Sequence, residues 1–320
     1  MMEKRKLGRS ELSVAPLAFG GNVFGWTADQ ATSFRLLDGF VDAGFNLIDT
    51  ADVYSRWVPG HTGGESETII GKWLKQRGNR DQVVIATKVG ADMGQGGFKL
   101  TQSYILKAVE DSLQRLQTDY IDLYQTHYDD MNTPVEETLD TYGQLIKEGK
   151  VRVIGTSNMS PERLLLSLDA SERNRYPRYE TLQPLYNLYD REEFEKSYAP
   201  ICEKQGLSVI NYYALASGFL TGKYRSQEDV SKSARGQKAL TYLNDRGLRI
   251  LGALDQVATQ YNTTAASVAI AWLIHRPGIA APIASATSTE QLADLTKAVV
   301  LQLDDAAMEI LNTASEWAHQ

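Results

Sequence analysis

The chain lacks several features that would make it easy to read. Its 320 residues include a single cysteine, Cys202. No intrachain disulfide can form, no cysteine-based metal or iron–sulfur site exists, and no metal is expected. Positive charge is not in excess either: 33 Lys and Arg stand against 40 Asp and Glu, a formal net charge of -7. An acidic chain without a basic cluster provides neither counterion release nor phosphate contacts, which argues against nucleic acid or an anionic membrane as partner. No apolar run is long enough to cross a bilayer. The basic opening Met-Met-Glu-Lys-Arg-Lys-Leu-Gly-Arg-Ser is not followed by a signal-peptide core, because Glu11 interrupts it. A cytoplasmic location is expected. Finally, no strand–Gly-x-Gly-x-x-Gly–helix unit opens the chain, as a doubly wound dinucleotide-binding sheet would require. The cluster Gly94-Gln95-Gly96-Gly97 lacks that context.

What the chain does contain is an ordinary globular composition, 42% hydrophobic and 23% charged, with ample material for a core. After a short predicted hairpin over 4–15, two patterns alternate. Apolar or β-branched runs end in glycine or polar residues, at 17–20, 46–49, 83–88, 120–127, 151–155, 181–183, 207–212 and 280–283. Between them lie stretches with helical spacing, such as 30–43, with Phe34, Leu37 and Val41 on one face, and 101–116, with Ile105, Val109, Leu113 and Leu116. Further helices are expected over 65–76, 134–147, 160–168, 194–205, 245–275 (split near Asn262), 289–298 and 304–314. Eight β-then-α units imply a parallel sheet covered by helices. In this length they suit a single closed (β/α)8 TIM barrel over 1–320, with an N-terminal β-hairpin and extra C-terminal helices. The segment 221–244, rich in Lys, Ser, Gln and Arg, is expected to be an irregular, mobile lid.

In such a barrel the C-terminal strand ends converge on one mouth. They deliver Asp49, Lys88, Gln125 and His127, Ser157 and Asn158, Gln183 and Tyr212. Parity agrees: Val84, Ala86 and Lys88 alternate together, as do Ile121, Leu123, Gln125 and His127. Tyr54 follows Asp49 in the next loop. Each residue alone has an ordinary structural explanation, as cap, solvated charge or packing. Together they make coherent chemistry. A lysine ammonium favours a phenolate and lowers a phenol's pKa, and a carboxylate beside the lysine holds it charged. An imidazole opposite orients a substrate oxygen. The set is a tuned acid for protonating an alkoxide that develops on a carbonyl carbon. No side chain delivers a hydride, so a nicotinamide cofactor is implied.

The motifs Gly44-Phe45-Asn46-Leu47-Ile48-Asp49-Thr50-Ala51-Asp52-Val53-Tyr54, Ala86-Thr87-Lys88, Asp122-Leu123-Tyr124-Gln125-Thr126-His127, Gly155-Thr156-Ser157-Asn158, Gln183-Pro184-Leu185-Tyr186-Asn187, Tyr212 to Gly218 and Glu290-Gln291-Leu292 resemble those of the aldo-keto reductases. The resemblance implies NAD(P)H-dependent reduction of an aldehyde or ketone. It assigns Tyr54 as general acid, Lys88 and Asp49 as its tuning pair, and His127 as the carbonyl-orienting residue. Ser157, Asn158 and Gln183 are then expected to hold the nicotinamide carboxamide, with Tyr212 stacked on the ring. Leu215, Ser217, Gly218 and Leu220 are expected along the pyrophosphate, and Lys223, Ser285, Thr287 and Gln291 toward the adenosine end. One departure bears on the cofactor. Thr287 stands where NADPH-preferring members commonly carry Arg or Lys, so a point charge for a 2′-phosphate is missing there. Leu295 replaces a frequent Asn near adenine. NADP(H) is the first expectation on family habit, with NAD(H) as the alternative.

The expected substrate wall is aromatic: Phe24, Trp26, Tyr54, Trp57, Tyr128 and Tyr213. It favours an apolar or aromatic small-molecule carbonyl compound. Asp129 and Asp130 argue against strongly anionic substrates, and Arg56 argues the other way. Two other classes fit parts of the pattern. One is a barrel lyase using Lys88 as a Schiff-base nucleophile. The other is a cofactor-binding regulatory subunit with slow turnover.

Overall fold

The protein is described by a computed structural model covering residues 2–317. It opens with an antiparallel hairpin of β1 (Arg5–Lys6) and β2 (Ser13–Val14). Eight parallel strands follow: β3 (Ala18–Gly20), β4 (Leu47–Asp49), β5 (Val84–Val89), β6 (Ile121–Thr126), β7 (Val151–Ser157), β8 (Tyr179–Gln183), β9 (Ser208–Val209) and β10 (Ile283–Ala284). They pair in chain order, and β10 lies beside β3. The last gap is bridged by backbone bonds: Ala280 N–H donates to Val209 O at 2.8 Å, and Ile283 N–H donates to Asn211 O at 2.9 Å. The expected (β/α)8 barrel is the observed one.

The described residues form eleven α-helices: α1 (Gln30–Asp42), α2 (Glu65–Arg77), α3 (Gln102–Leu116), α4 (Val135–Lys147), α5 (Pro161–Asn174), α6 (Ala199–Gln205), α7 (Gly236–Leu240), α8 (Asp245–Gln260), α9 (Ala265–Ile274), α10 (Thr289–Lys297) and α11 (Asp305–Ala314). Local chemistry sets their starts. The side chains of Asp29, Ser160, Asn244, Thr264, Ser288 and Asp304 each accept a first-turn N–H, of α1, α5, α8, α9, α10 and α11 respectively. Helix α2 stops at Gly78, whose φ of +63° suits glycine. Among the described residues no helix is long and apolar enough to cross a membrane.

The alternation read from the strands separates two cores. Ala18, Leu47, Val84, Ala86, Leu123 and Ile210 form a cluster inside the barrel, and Leu7, Leu12 and Val14 of the hairpin join it. Phe19, Ile48, Ile85, Tyr124, Ile154 and Leu182 pack with the helices outside. Several expectations shift. Ile121 joins the outer cluster instead of the inner one. Helix α1 buries Leu36, Leu37 and Phe40, with Phe34 and Val41 at the margin, so its buried face is rotated from the expected one. The run 207–212 contributes only Ser208 and Val209 to the ladder. Segment 221–244 is not irregular: a 3₁₀ turn (Gln227–Lys232) and α7 occupy it, the turn opened by a Ser226–Asp229 capping box.

Candidate active site

Strand β4 ends at Asp49, and β5 carries Lys88 near its own end. Both are buried, Lys88 at 0% exposure. Such a cation persists in the interior only if paired and hydrogen-bonded. Lys88 Nζ is 2.7 Å from Asp49 Oδ2 and donates to Thr50 O at 2.8 Å and to the Tyr54 hydroxyl at 3.2 Å. Its three donors are therefore all used. The other Asp49 oxygen, Oδ1, accepts from Gln183 Nε2 at 2.8 Å and Gln125 Nε2 at 3.3 Å. His127, just past the end of β6, closes the group, its ring 5.9 Å from that of Tyr54. The four residues singled out in the sequence thus meet at one mouth.

Electrostatics set their protonation. Burial pushes the Lys88 ammonium down, but Asp49 and Tyr54 outweigh it and hold the group above its ordinary value. A lysine locked as ammonium has no free amine for a Schiff base, which counts against the lyase reading. Burial, reinforced by the Lys88 charge, drives His127 well below the usual histidine value, so the imidazole is neutral at pH 7. Its Nδ1 is buried without a hydrogen-bond partner. For Tyr54 the expected lowering is not found. Burial raises the phenol above its ordinary value, and the Lys88 charge opposes that only in part. Removing water costs the phenolate more than one ammonium restores.

Around the mouth, Asn158 Nδ2 donates to His127 O at 2.9 Å and to Ser157 Oγ at 3.1 Å. Tyr212 O–H donates to Asn158 Oδ1 at 3.1 Å. Ser157 Oγ–H donates to Gln183 O at 2.7 Å. The chain then turns sharply, with positive φ at Tyr213, Ala216, Ser217 and Gly218. Ser217 Oγ is buried there without a partner. Leu215 and Leu220 pack into the outer core. Lys223 lies over the Tyr224 ring at 5.1 Å. Farther round, Thr287 N–H and Oγ1–H donate to Gln291 Oε1 at 2.8 and 3.1 Å.

The sequence pattern of the aldo/keto reductase family covers residues 16–316. The chain belongs to that family. Among its relatives is the uncharacterized oxidoreductase YrpG of Bacillus subtilis, 35% identical over 97% of this chain and 95% of that protein. Norsolorinic acid reductase of Aspergillus flavus is 33% identical, over 94% of this chain and 78% of its own. A probable voltage-gated potassium channel subunit beta of rice is 31% identical, over 93% and 91%. This aldo/keto reductase is an NAD(P)-dependent oxidoreductase.

Of the expected wall residues, Trp26, Trp57 and Tyr128 stand at the mouth. Trp57 meets Tyr54 edge-on at 5.6 Å and Trp26 at 5.7 Å. Phe24 does not reach it. That ring is fully buried in the outer core, stacked on Phe19 at 5.3 Å, because the 3₁₀ turn Gly21–Val23 directs it inward. Four residues at the mouth carry no assigned role in the sequence reading, although parity already places Gln125 there. Gln125 faces Lys88 in the β5–β6 register, so its parity was a usable signal. Asn22 and Arg235 carried none. With its amide oriented to satisfy both neighbours, Asn22 donates to Ser285 Oγ at 2.7 Å and accepts from Arg235 NH2 at 2.8 Å. Arg235 also lies 5.3 Å over Trp26, so segment 221–244 reaches the mouth. The fourth, Phe98, is stacked on Tyr128.

Proposed function

We propose that this aldo/keto reductase reduces an apolar or aromatic aldehyde or ketone to the alcohol, with Tyr54 as proton donor. One observation carries the reading: Lys88 Nζ stands 2.7 Å from Asp49 and 3.2 Å from the Tyr54 hydroxyl. The raised pKa of Tyr54 keeps its proton in place at neutral pH, as a donor requires. As Tyr54 Oη gives up that proton to the forming alkoxide, the phenolate left behind faces a fixed ammonium. Asp49 keeps that ammonium charged and in position. Neutral His127 offers an N–H to the carbonyl oxygen and orients it.

The residues present fit a nicotinamide dinucleotide, which supplies the hydride when bound. Ser157, Asn158 and Gln183 offer a hydroxyl and two amides at the β7 and β8 ends, beside the Tyr212 ring. The partnerless Ser217 Oγ, in a run of left-handed residues, suits a pyrophosphate oxygen. Lys223, Ser285, Thr287 and Gln291 complete the proposed set. NADPH is the proposed reductant, with NADH also used, because Thr287 offers a hydroxyl where a guanidinium would add an ion pair. A cytoplasmic location and one catalytic domain over 1–320 belong to the same proposal. The regulatory-subunit reading is favoured by the rice relative, and turnover far below that of ordinary reductases would favour it here.

The test pairs kinetics with binding. Tyr54→Phe should cut aldehyde reduction at least a hundredfold while fluorescence titration shows nearly intact NADPH affinity. Reduction at the wild-type rate would overturn the assignment. Parallel titrations with NADPH and NADH decide the cofactor, equal affinities refuting the preference.

A further inference from the structure

Three aromatic rings stand in a row at the rim of the mouth, and only the first belongs to the catalytic group. His127 stacks on Tyr128 with centroids 4.8 Å apart and planes 26° apart. Tyr128 stacks on Phe98 at 4.5 Å, the planes only 8° apart. Phe98 is 47% exposed. A single exposed ring needs no explanation. This one is held parallel to its neighbour by a loop that is itself fixed. Asp92 Oδ1 accepts from Gly94 N–H at 2.7 Å and Gly96 N–H at 3.3 Å. Gln95 Nε2 donates to Ala91 O at 2.9 Å and Gly97 O at 2.8 Å. Arg56 NH1 donates to Asp92 O at 2.7 Å, tying this loop to the one that carries Tyr54 and Trp57. Trp57 in that neighbouring loop is 48% exposed and leans edge-on against Tyr54.

The charged residues nearby are already engaged. Arg56 is bound as just described. Asp129 pairs with Arg163 at 3.0 Å. Asp130 accepts from Leu100 N–H at 3.1 Å and Thr133 Oγ1 at 2.6 Å. What remains open beyond the reacting atoms is a fixed aromatic surface.

We propose that Phe98 is a specificity-determining residue which, with Tyr128 and Trp57, selects carbonyl substrates whose planar aromatic body is longer than one ring. The proposal rests on the carbonyl-reductase reading above. The reacting carbon sits between the Tyr54 hydroxyl and His127. A single ring on that carbon extends as far as Tyr128. A second, fused ring continues along the row to Phe98, while Trp57 flanks Tyr54. Edge-to-face and offset contacts with rings that are otherwise wet add to area burial, roughly three- to tenfold in affinity per good pair. Because the loop is fixed beforehand, little ordering opposes the gain.

The experiment compares benzaldehyde with naphthalene-2-carbaldehyde in the wild type, Phe98→Ala and Phe98→Leu. Each enzyme is assayed at saturating NADPH, and binding of the naphthyl aldehyde is measured by calorimetry. The wild type should prefer the bicyclic aldehyde in kcat/KM by about tenfold. Phe98→Ala should reduce that preference at least fivefold, through KM, and weaken calorimetric binding to match. Phe98→Leu, which keeps bulk but not the ring, should fall between. A preference that Phe98→Ala leaves intact, or a wild type that favours benzaldehyde, overturns the proposal. If the wild type reduces neither aldehyde, the reductase reading fails. Calorimetry then judges Phe98 alone: fivefold weaker naphthyl binding in Phe98→Ala supports the aromatic surface, and equal binding refutes it.

Discussion

Gln183 Nε2 donates to Asp49 Oδ1 at 2.8 Å, linking residues 134 positions apart. With Gln125 on the same oxygen and Lys88 on the other, the buried carboxylate is fixed from both sides. A buried acceptor that loses a partner bears a desolvation cost. Gln183→Leu should lower carbonyl reduction about tenfold and weaken NADPH binding as well. Steady-state kinetics and fluorescence titration check both. An unchanged rate would show that Gln125 alone suffices.

Asp49 holds the Lys88 ammonium above its ordinary value against the opposing effect of burial. Asp49→Asn removes that support, so Lys88 loses its proton at lower pH. The alkaline limb of the kcat profile should move acidward by about one unit or more, with kcat at pH 7 down roughly ten- to a hundredfold. A profile measured from pH 6 to 10 decides it. A limb that stays in place would mean that another group sets it.

The same pair makes a stability prediction. Lys88→Met leaves Asp49 ionised and buried without its cation, a loss of about 3–5 kcal/mol. Asp49→Asn combined with Lys88→Met removes both charges and should recover more than half of that loss. Urea unfolding of the three proteins tests it. A double variant as unstable as the single one contradicts the charge argument.

His127 should not titrate in the ordinary histidine range. Its folded value lies well below the unfolded 6.5, through burial and then Lys88. The unfolded chain binds the proton first, so stability is present above pH 6.5 and is lost as pH falls through the folded value. His127→Gln should flatten the acid side of the Tm profile. In the wild type, kcat/KM should show no inflection from this residue between pH 6 and 7.5.

Asp52, buried in the loop that follows β4, feels the charges of Glu67 and Arg115. Burial, then Glu67, raises its pKa to about 8. The folded protein therefore keeps a proton that the unfolded chain releases near 3.8. The benefit is complete below that pH and is lost as pH rises to about 8. Asp52→Asn carries no such penalty. Its Tm advantage should grow from pH 4 to 8, reaching about 2–5 °C, and level off above. A constant difference across that range would refute the assignment.

Much of this was legible in the sequence because period and position carried it. Alternation along the strands placed Lys88 and Gln125 on the inner face beside Asp49, and strand-end convergence brought His127 to them. Two kinds of information were absent. The Tyr54 pKa depends on how much water the mouth excludes, a collective property of many side chains that spacing does not encode. Phe24 misled for a related reason. An aromatic in a glycine-flanked loop reads the same whether the turn aims it outward or into the core. Segment 221–244 looked irregular because its turn and short helix are held by Tyr224, Ser226, Asp229 and Arg235, polar and aromatic contacts that leave no hydrophobic period.

The hairpin residues Leu7, Leu12 and Val14, packed beneath Leu47, Val84 and Leu123, act as a stopper in the barrel's floor. Below Lys88 the interior is lined mainly by aliphatic side chains, with the buried Thr181 hydroxyl beside Leu123 among them. On the proposed mechanism Tyr54 is recharged at the mouth, where the alcohol also departs. Traffic at that threshold couples proton uptake to product exit, so a bulky alcohol that lingers there also delays the next turnover's acid.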